Sequence, residues 1–159
     1  MLFARTERAR RELSAAWREG RVRRWYRARV SGRLETEGQT LSTPIGKVAH
    51  PLLGSLHAAS PDGRPARTEI KTVRAGDTES LVDIEIATGR PHQIRIHLAA
   101  AGHPLVGDPL YVEGGIPRSG VSRLPGEIGY DLHAHRIDYP SLDERAVVRV
   151  DCGLPARLR

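Results

Sequence analysis

The chain has 159 residues, with 25 Lys and Arg against 19 Asp and Glu, a single Cys and a mean hydropathy of −0.41. No apolar run approaches the ~18 residues of a membrane-spanning helix, and the basic N-terminal stretch lacks the apolar core of a signal peptide, so neither is expected. One Cys, Cys152, excludes an internal disulfide or a thiolate metal cluster and sets a cytoplasmic location as the expectation.

The charge is unevenly placed. Residues 1–33 hold 11 Arg and 3 Glu, a net of +8, and the remainder carries a net of −2. Arg supplies 23 of the 25 basic residues, which favours bidentate contact with phosphate or carboxylate. A nucleic-acid partner and a merely solvated helix face both fit this distribution.

In chain order, Leu2-Phe3-Ala4 reads as the end of a strand. Ala9, Leu13, Ala16 and Trp17 then recur at helical spacing between Thr6, a capping residue, and Gly20. Val22–Ser31 reads as a strand. Leu41–Pro65, with four Pro and three Gly, reads as an irregular excursion with a turn at Pro61-Asp62-Gly63-Arg64. Ala66–Val73 and Ser80–Ala87 form a predicted β-hairpin joined by Ala75-Gly76-Asp77-Thr78. Pro91 opens a short helix to Ala101, with Ile94, Leu98 and Ala101 on one face. A Gly- and Pro-rich loop is expected from Gly102 to Gly129, and strands over Asp131–Tyr139 and Arg145–Asp151 complete the chain. Without a βαβ rhythm, the pattern predicts one α+β domain over 1–159, a mixed, largely antiparallel sheet flanked by short helices.

Among candidate sites, Arg90, His92, Gln93 and Arg95 gather where a strand gives way to a helix N-terminus, a place suited to an anion. A capped helix with a solvated polar face is the plainer alternative. His92 and His97 diverge by about 140° on a helix, and His133 and His135 lack a third ligand nearby, so no metal is expected. No GxSxG elbow, dinucleotide fingerprint or P-loop occurs. A hydrolase using His92 or His97 as base lacks an accompanying nucleophile.

The run from Ala87 to Tyr111, ATGRPHQIRIHLAAAGHPLVGDPLY, resembles the third signature motif of the RluA-type RNA pseudouridine synthases. Arg23-Arg24-Trp25-Tyr26 is similar to the family's basic-x-x-Tyr strand, Pro44-Ile45-Gly46 to its PIG turn, Gly63–Thr68 to its GKPAxT segment, and Leu132-His133-Ala134 to its closing LHA strand. Residues 1–20 resemble the helix that follows the family's catalytic motif. The resemblance implies isomerisation of uridine to pseudouridine in rRNA or tRNA, without cofactor or metal. It assigns Tyr26 to stacking on the uridine or to proton movement at C5, and Arg95 to holding the catalytic Asp ionised. Arg23, Arg24, Arg90, His92 and Gln93 are the implied RNA-binding residues. The 159 residues contain no HRLDxxTSG motif and hence no nucleophilic Asp. The expectation is therefore an N-terminally truncated catalytic domain, inactive alone, with a non-catalytic RNA-binding remnant as the alternative.

Overall fold

The computed structural model describes residues 2–120, 129–143 and 145–159. Helix α1 spans Glu7–Arg18. The Thr6 hydroxyl accepts the Ala9 amide at 3.1 Å and so satisfies one of the free donors of the first turn. Strands β1 (Arg23–Ser31), β2 (Gln39–Leu41), β3 (Ile45–His50), β4 (Gly54–Ala59), β5 (Thr68–Arg74) and β6 (Glu79–Ile86) precede helix α2 (Gln93–Ala100). Two short strands, β7 (Tyr111–Val112) and β8 (Ile116–Pro117), pair with each other, and β9 (Leu132–Pro140) and β10 (Val147–Asp151) follow.

Six strands form one antiparallel sheet in the order β10-β9-β1-β6-β5-β2. The α+β class and the β5–β6 hairpin thus stand as expected. On one face Ala28, Val30, Ile70, Val82 and Ile84 pack against Ile94 and Leu98 of α2. The opposite side of α2 presents Ile96 and Ala99 to Ile45, Leu110 and Tyr111. Every residue from Gln93 to Ala99 is buried. The helix therefore lies inside the molecule, and its single apolar stripe in sequence understates its burial.

Four expectations need correction. The excursion over Leu41–Pro65 is not irregular: β3 and β4 pair from Ile45↔Ala59 to His50↔Gly54. Its turn is closed by a side chain, because His50 Nδ1 accepts the amides of Leu52 and Leu53 at 3.3 and 3.2 Å. The loop expected after Gly102 contains β7 and β8; its residues 121–128 lie outside the described residues. Leu2-Phe3-Ala4 joins no strand, and Phe3 is 75% exposed. Finally, α2 starts two residues later than Pro91 predicts, because His92 adopts a left-handed conformation with φ 55° and ψ 19°.

Two local features position the site. Ile45 and Arg64 exchange backbone hydrogen bonds of 3.0 and 2.8 Å, and a Cβ on Gly63 would lie 2.4 Å from the Ile45 carbonyl carbon. Only glycine permits this approach, which joins the Pro44-Ile45-Gly46 and Gly63–Thr68 segments. On β9, the register against β1 slips between Trp25↔Arg136 and Tyr26↔Ala134, leaving His135 as the extra residue of a bulge.

Candidate functional site

A cleft of about 270 Å³ opens between β1, the end of β6 and the N-terminus of α2. Alternation along β1 sends Arg24 and Tyr26 to this side, beside Ile86, and Arg23, Trp25 and Arg27 to the other face of the sheet. Arg90, His92 and Arg95 line the opposite wall, and Tyr130 and Leu132 contribute from the start of β9 and the residues before it. Tyr26 and Arg95, the two implied catalytic residues, thus share one cleft.

Arg95 is 2% exposed. Its Nε and Nη2 donate to the two carboxylate oxygens of Asp108, each at 2.7 Å, in a bidentate fork. The guanidinium carbon sits 4.8 Å from the Tyr111 ring and 4.6 Å from that of Tyr130. Asp108 Oδ1 also accepts the amides of Leu110 and Tyr111 at 2.9 and 3.1 Å. Burial works to raise the Asp108 pKa, but Arg95 and these amides outweigh it and hold the carboxyl below the ordinary range. One edge of the guanidinium remains: Nη1 is buried and has no partner among the described residues. The fork fixes Arg95 in place while that edge keeps a donor unspent.

His92 hydrogen-bonds through Nδ1 to the Tyr111 hydroxyl at 2.7 Å, and that hydroxyl donates to the His57 carbonyl at 2.6 Å. Burial, then the nearby Arg95 and His57, lower the His92 pKa, so the ring is neutral near pH 7. Its φ makes it the one non-glycine residue with positive φ among the described residues, a conformation costing about 1–2 kcal/mol.

Gln93 is spent inside the protein. Its Oε1 accepts from Thr88 Oγ1 (2.8 Å) and the Arg90 amide (3.0 Å), and its Nε2 donates to the Arg67 carbonyl and Thr68 Oγ1, both 2.9 Å away. These bonds tie β5 and the turn after β6 to the start of α2. Arg24 donates to the Thr88 carbonyl at 3.0 Å and lies 4.7 Å above the Trp17 ring, with Nε unpartnered. Burial lowers its pKa. Arg90 donates to the Pro65 carbonyl at 3.0 Å. Neither has a carboxylate partner among the described residues. Arg23, by contrast, lies on the far face in a two-bond pair with Glu85 (2.7 and 2.9 Å).

The sequence singles out none of Asp108, Tyr111 and Tyr130 as a site residue. A separation of 13 residues carries no periodic signal, and only the GDPLY run hinted that Asp108 lies near the helix. Among the described residues no group of three His, Cys, Asp or Glu gathers into a metal-ligand set, and no helix is long and apolar enough to cross a membrane.

Residues 1–100 match the family model for RNA pseudouridylate synthase. An uncharacterized RNA pseudouridine synthase of Synechocystis sp. is 37% identical over 158 residues, covering 99% of this chain and 54% of the relative. RNA pseudouridine synthase 5 of Arabidopsis thaliana is 36% identical over 200 residues, covering 100% and 54%. Human RNA Pseudouridylate Synthase Domain Containing 1 superposes with a TM-score of 0.68 at 27% identity, covering 96% of this chain and 62% of that structure. The chain belongs to the RNA pseudouridylate synthase family, in its RluA-like branch. It spans about half the length of the curated relatives it matches.

Proposed function

We propose that these residues form the uridine-binding part of an RNA pseudouridine synthase acting on rRNA or tRNA in the cytoplasm, without metal or cofactor. In the reaction the C1′–N1 bond breaks, the uracil turns, C1′ bonds to C5, C5 gives up its proton and N1 takes one up, so the product is an isomer of the substrate. The observation that carries this reading is Arg95, a buried guanidinium fixed by Asp108 and two aromatic rings, with one edge unpartnered, in the cleft that Tyr26 also lines.

The side chains lining the cleft include no carboxylate among the described residues. The Nη1 edge of Arg95 is suited to orient a carboxylate supplied from outside the 159 residues and to keep it ionised. Tyr26, flanked by Ile86 and Leu132, offers a ring face for an unstacked base. Arg24 and Arg90, unspent on acids, suit the phosphates on either side of that nucleotide.

The chain alone is expected to release no tritium from C5-tritiated uridine in cellular RNA, and measurable release would refute that part of the reading. A second reading, a non-catalytic RNA-binding module, draws on the same two free arginines and the same lack of a cleft carboxylate. It predicts RNA binding that persists with Arg95→Met. The synthase reading predicts that synthase activity is lost with this change in any longer form that carries the carboxylate.

A further inference from the structure

We propose that His92 reads the base in this cleft: its Nε2 is an obligate hydrogen-bond acceptor that takes the imide N3–H of uracil and refuses cytosine. The inference rests on the cleft being the nucleotide site argued above.

One proton decides the tautomer of His92. The Tyr111 hydroxyl lies 2.6 Å from the His57 carbonyl oxygen, a distance two acceptors do not tolerate without a hydrogen between them, so the phenol proton points at His57. His92 Nδ1 is 2.7 Å from the same phenol oxygen. With the phenol proton already committed, Nδ1 must be the donor. Burial pushes the Tyr111 pKa far above its ordinary value, so the phenol does not give up this proton at working pH. The imidazole is neutral by the causes given above and carries its hydrogen on Nδ1. Its Nε2 is then a bare lone pair.

That lone pair is available. His92 lines the cleft, Nε2 has no partner among the described residues, and the atom is not sealed away from solvent. The surrounding side chains make it distinctive. Arg24, Arg90 and Arg95 only donate, Gln93 has used all four of its hydrogen bonds, and the phenols of Tyr26 and Tyr130 can turn to donate or accept. Only His92 offers a nitrogen that accepts and cannot donate. Uracil and cytosine differ at N3 in this respect, one carrying a hydrogen and the other a lone pair. A buried acceptor left facing another acceptor is the kind of mismatch by which sites reject a near-isostere. The left-handed backbone at His92 fits this role, since the side chain is anchored to Tyr111 at the mouth of α2 where a regular first turn would aim it elsewhere.

The test uses the ¹⁵N-labelled chain and the nucleotides UMP, CMP, N3-methyl-UMP and 2′-deoxy-UMP. A long-range ¹H–¹⁵N spectrum should show His92 protonated at Nδ1 and bare at Nε2, and a hydrogen on Nε2 would overturn the proposal without any ligand. In titrations UMP should bind at least tenfold more tightly than CMP or N3-methyl-UMP, and 2′-deoxy-UMP should match UMP. His92→Asn, which tolerates the left-handed backbone, should bring the UMP to CMP ratio near one. Tyr111→Phe acts through His92: it should free the tautomer in the spectrum and lower the same ratio. UMP and CMP binding equally, with 2′-deoxy-UMP weakened, would assign Nε2 to the ribose hydroxyl and refute base reading while leaving the nucleotide cleft intact. Failure of both UMP and CMP to perturb the cleft would remove the nucleotide site itself, and this proposal with it.

Discussion

The two faces of the central sheet use the same residue type in opposite ways. On the open face Arg23 pairs with Glu85, Arg27 with Asp83 at 2.6 Å and Arg29 with Asp131 at 2.6 Å, while Trp25 lies between the guanidiniums of Arg23 and Arg136 at 4.8 and 4.3 Å. On the cleft face Arg24 and Arg90 reach only carbonyl oxygens, and Arg95 keeps one edge unpartnered. The charge excess of the first 33 residues is therefore not a uniform polyanion surface. Much of it is neutralised across strands, and the part free to meet phosphate is set by which residues of β1 share a side with Tyr26.

The largest effect that can break this contrast lies at the Arg95–Asp108 fork. Asp108→Asn leaves a buried guanidinium without its counter-charge and is expected to cost about 3–5 kcal/mol in urea unfolding. A loss below about 1 kcal/mol would mean that the fork is not what fixes Arg95.

A second, smaller effect is pH-dependent. His97 is 0% exposed, and its Nε2–H donates to the Thr43 carbonyl oxygen, 2.9 Å away. Burial lowers its pKa more than that bond raises it. The unfolded chain takes up this proton first, so the contribution of neutral His97 is complete above about pH 6.5 and is lost as pH falls through the lower folded value. Thermal unfolding of His97→Gln should show a flatter slope between pH 6.5 and 5 than the parent chain. An unchanged slope would place the acid sensitivity elsewhere.

The third comparison sharpens the contrast directly. Arg24→Ala should weaken RNA binding and reduce the slope of log K against log salt by about 1, as expected for one lost phosphate contact. Arg23→Ala, next in sequence but paired to Glu85 on the open face, should leave that slope unchanged and alter stability by no more than about 1 kcal/mol. Equal slopes for the two variants would erase the distinction between the faces.

How much of this could be read beforehand depended on the range of the interactions. The β5–β6 hairpin, the Thr6 cap and the burial of Ile94 and Leu98 were legible because periodicity and turn chemistry are local. The β3–β4 hairpin was not, because its turn is held by the His50 ring, and no pattern of Gly and Pro announces that. The resemblances to the third motif and to the basic-x-x-Tyr strand brought Arg95 and Tyr26 forward, but the sequence could not show that Asp108 clamps Arg95, nor that Gln93 spends its amide on Arg67 and Thr68. The adjacent Arg23 and Arg24 read alike until the pleat separated them. His92 looked like a helix residue after Pro91, but its backbone is left-handed and its ring is tethered to Tyr111, 19 residues away, a contact no local pattern announces.

The extra residue at His135 has a consequence for how this strand tolerates change in length. It allows small Ala134 to stand opposite Tyr26 while Arg136 stands opposite Trp25, although residues two apart in a regular strand would point the same way. Were residue 135 to pair regularly with β1 instead of bulging, inside and outside would be exchanged along the rest of β9, carrying Arg136 and Asp138 towards the groove and turning Ile137 out to water; deleting it would leave Ala134 and Arg136 adjacent and on opposite faces, as they are now. The bulge thus acts as a parity switch, keeping the aromatic slot and the ion-pair lattice on their proper sides of a single sheet.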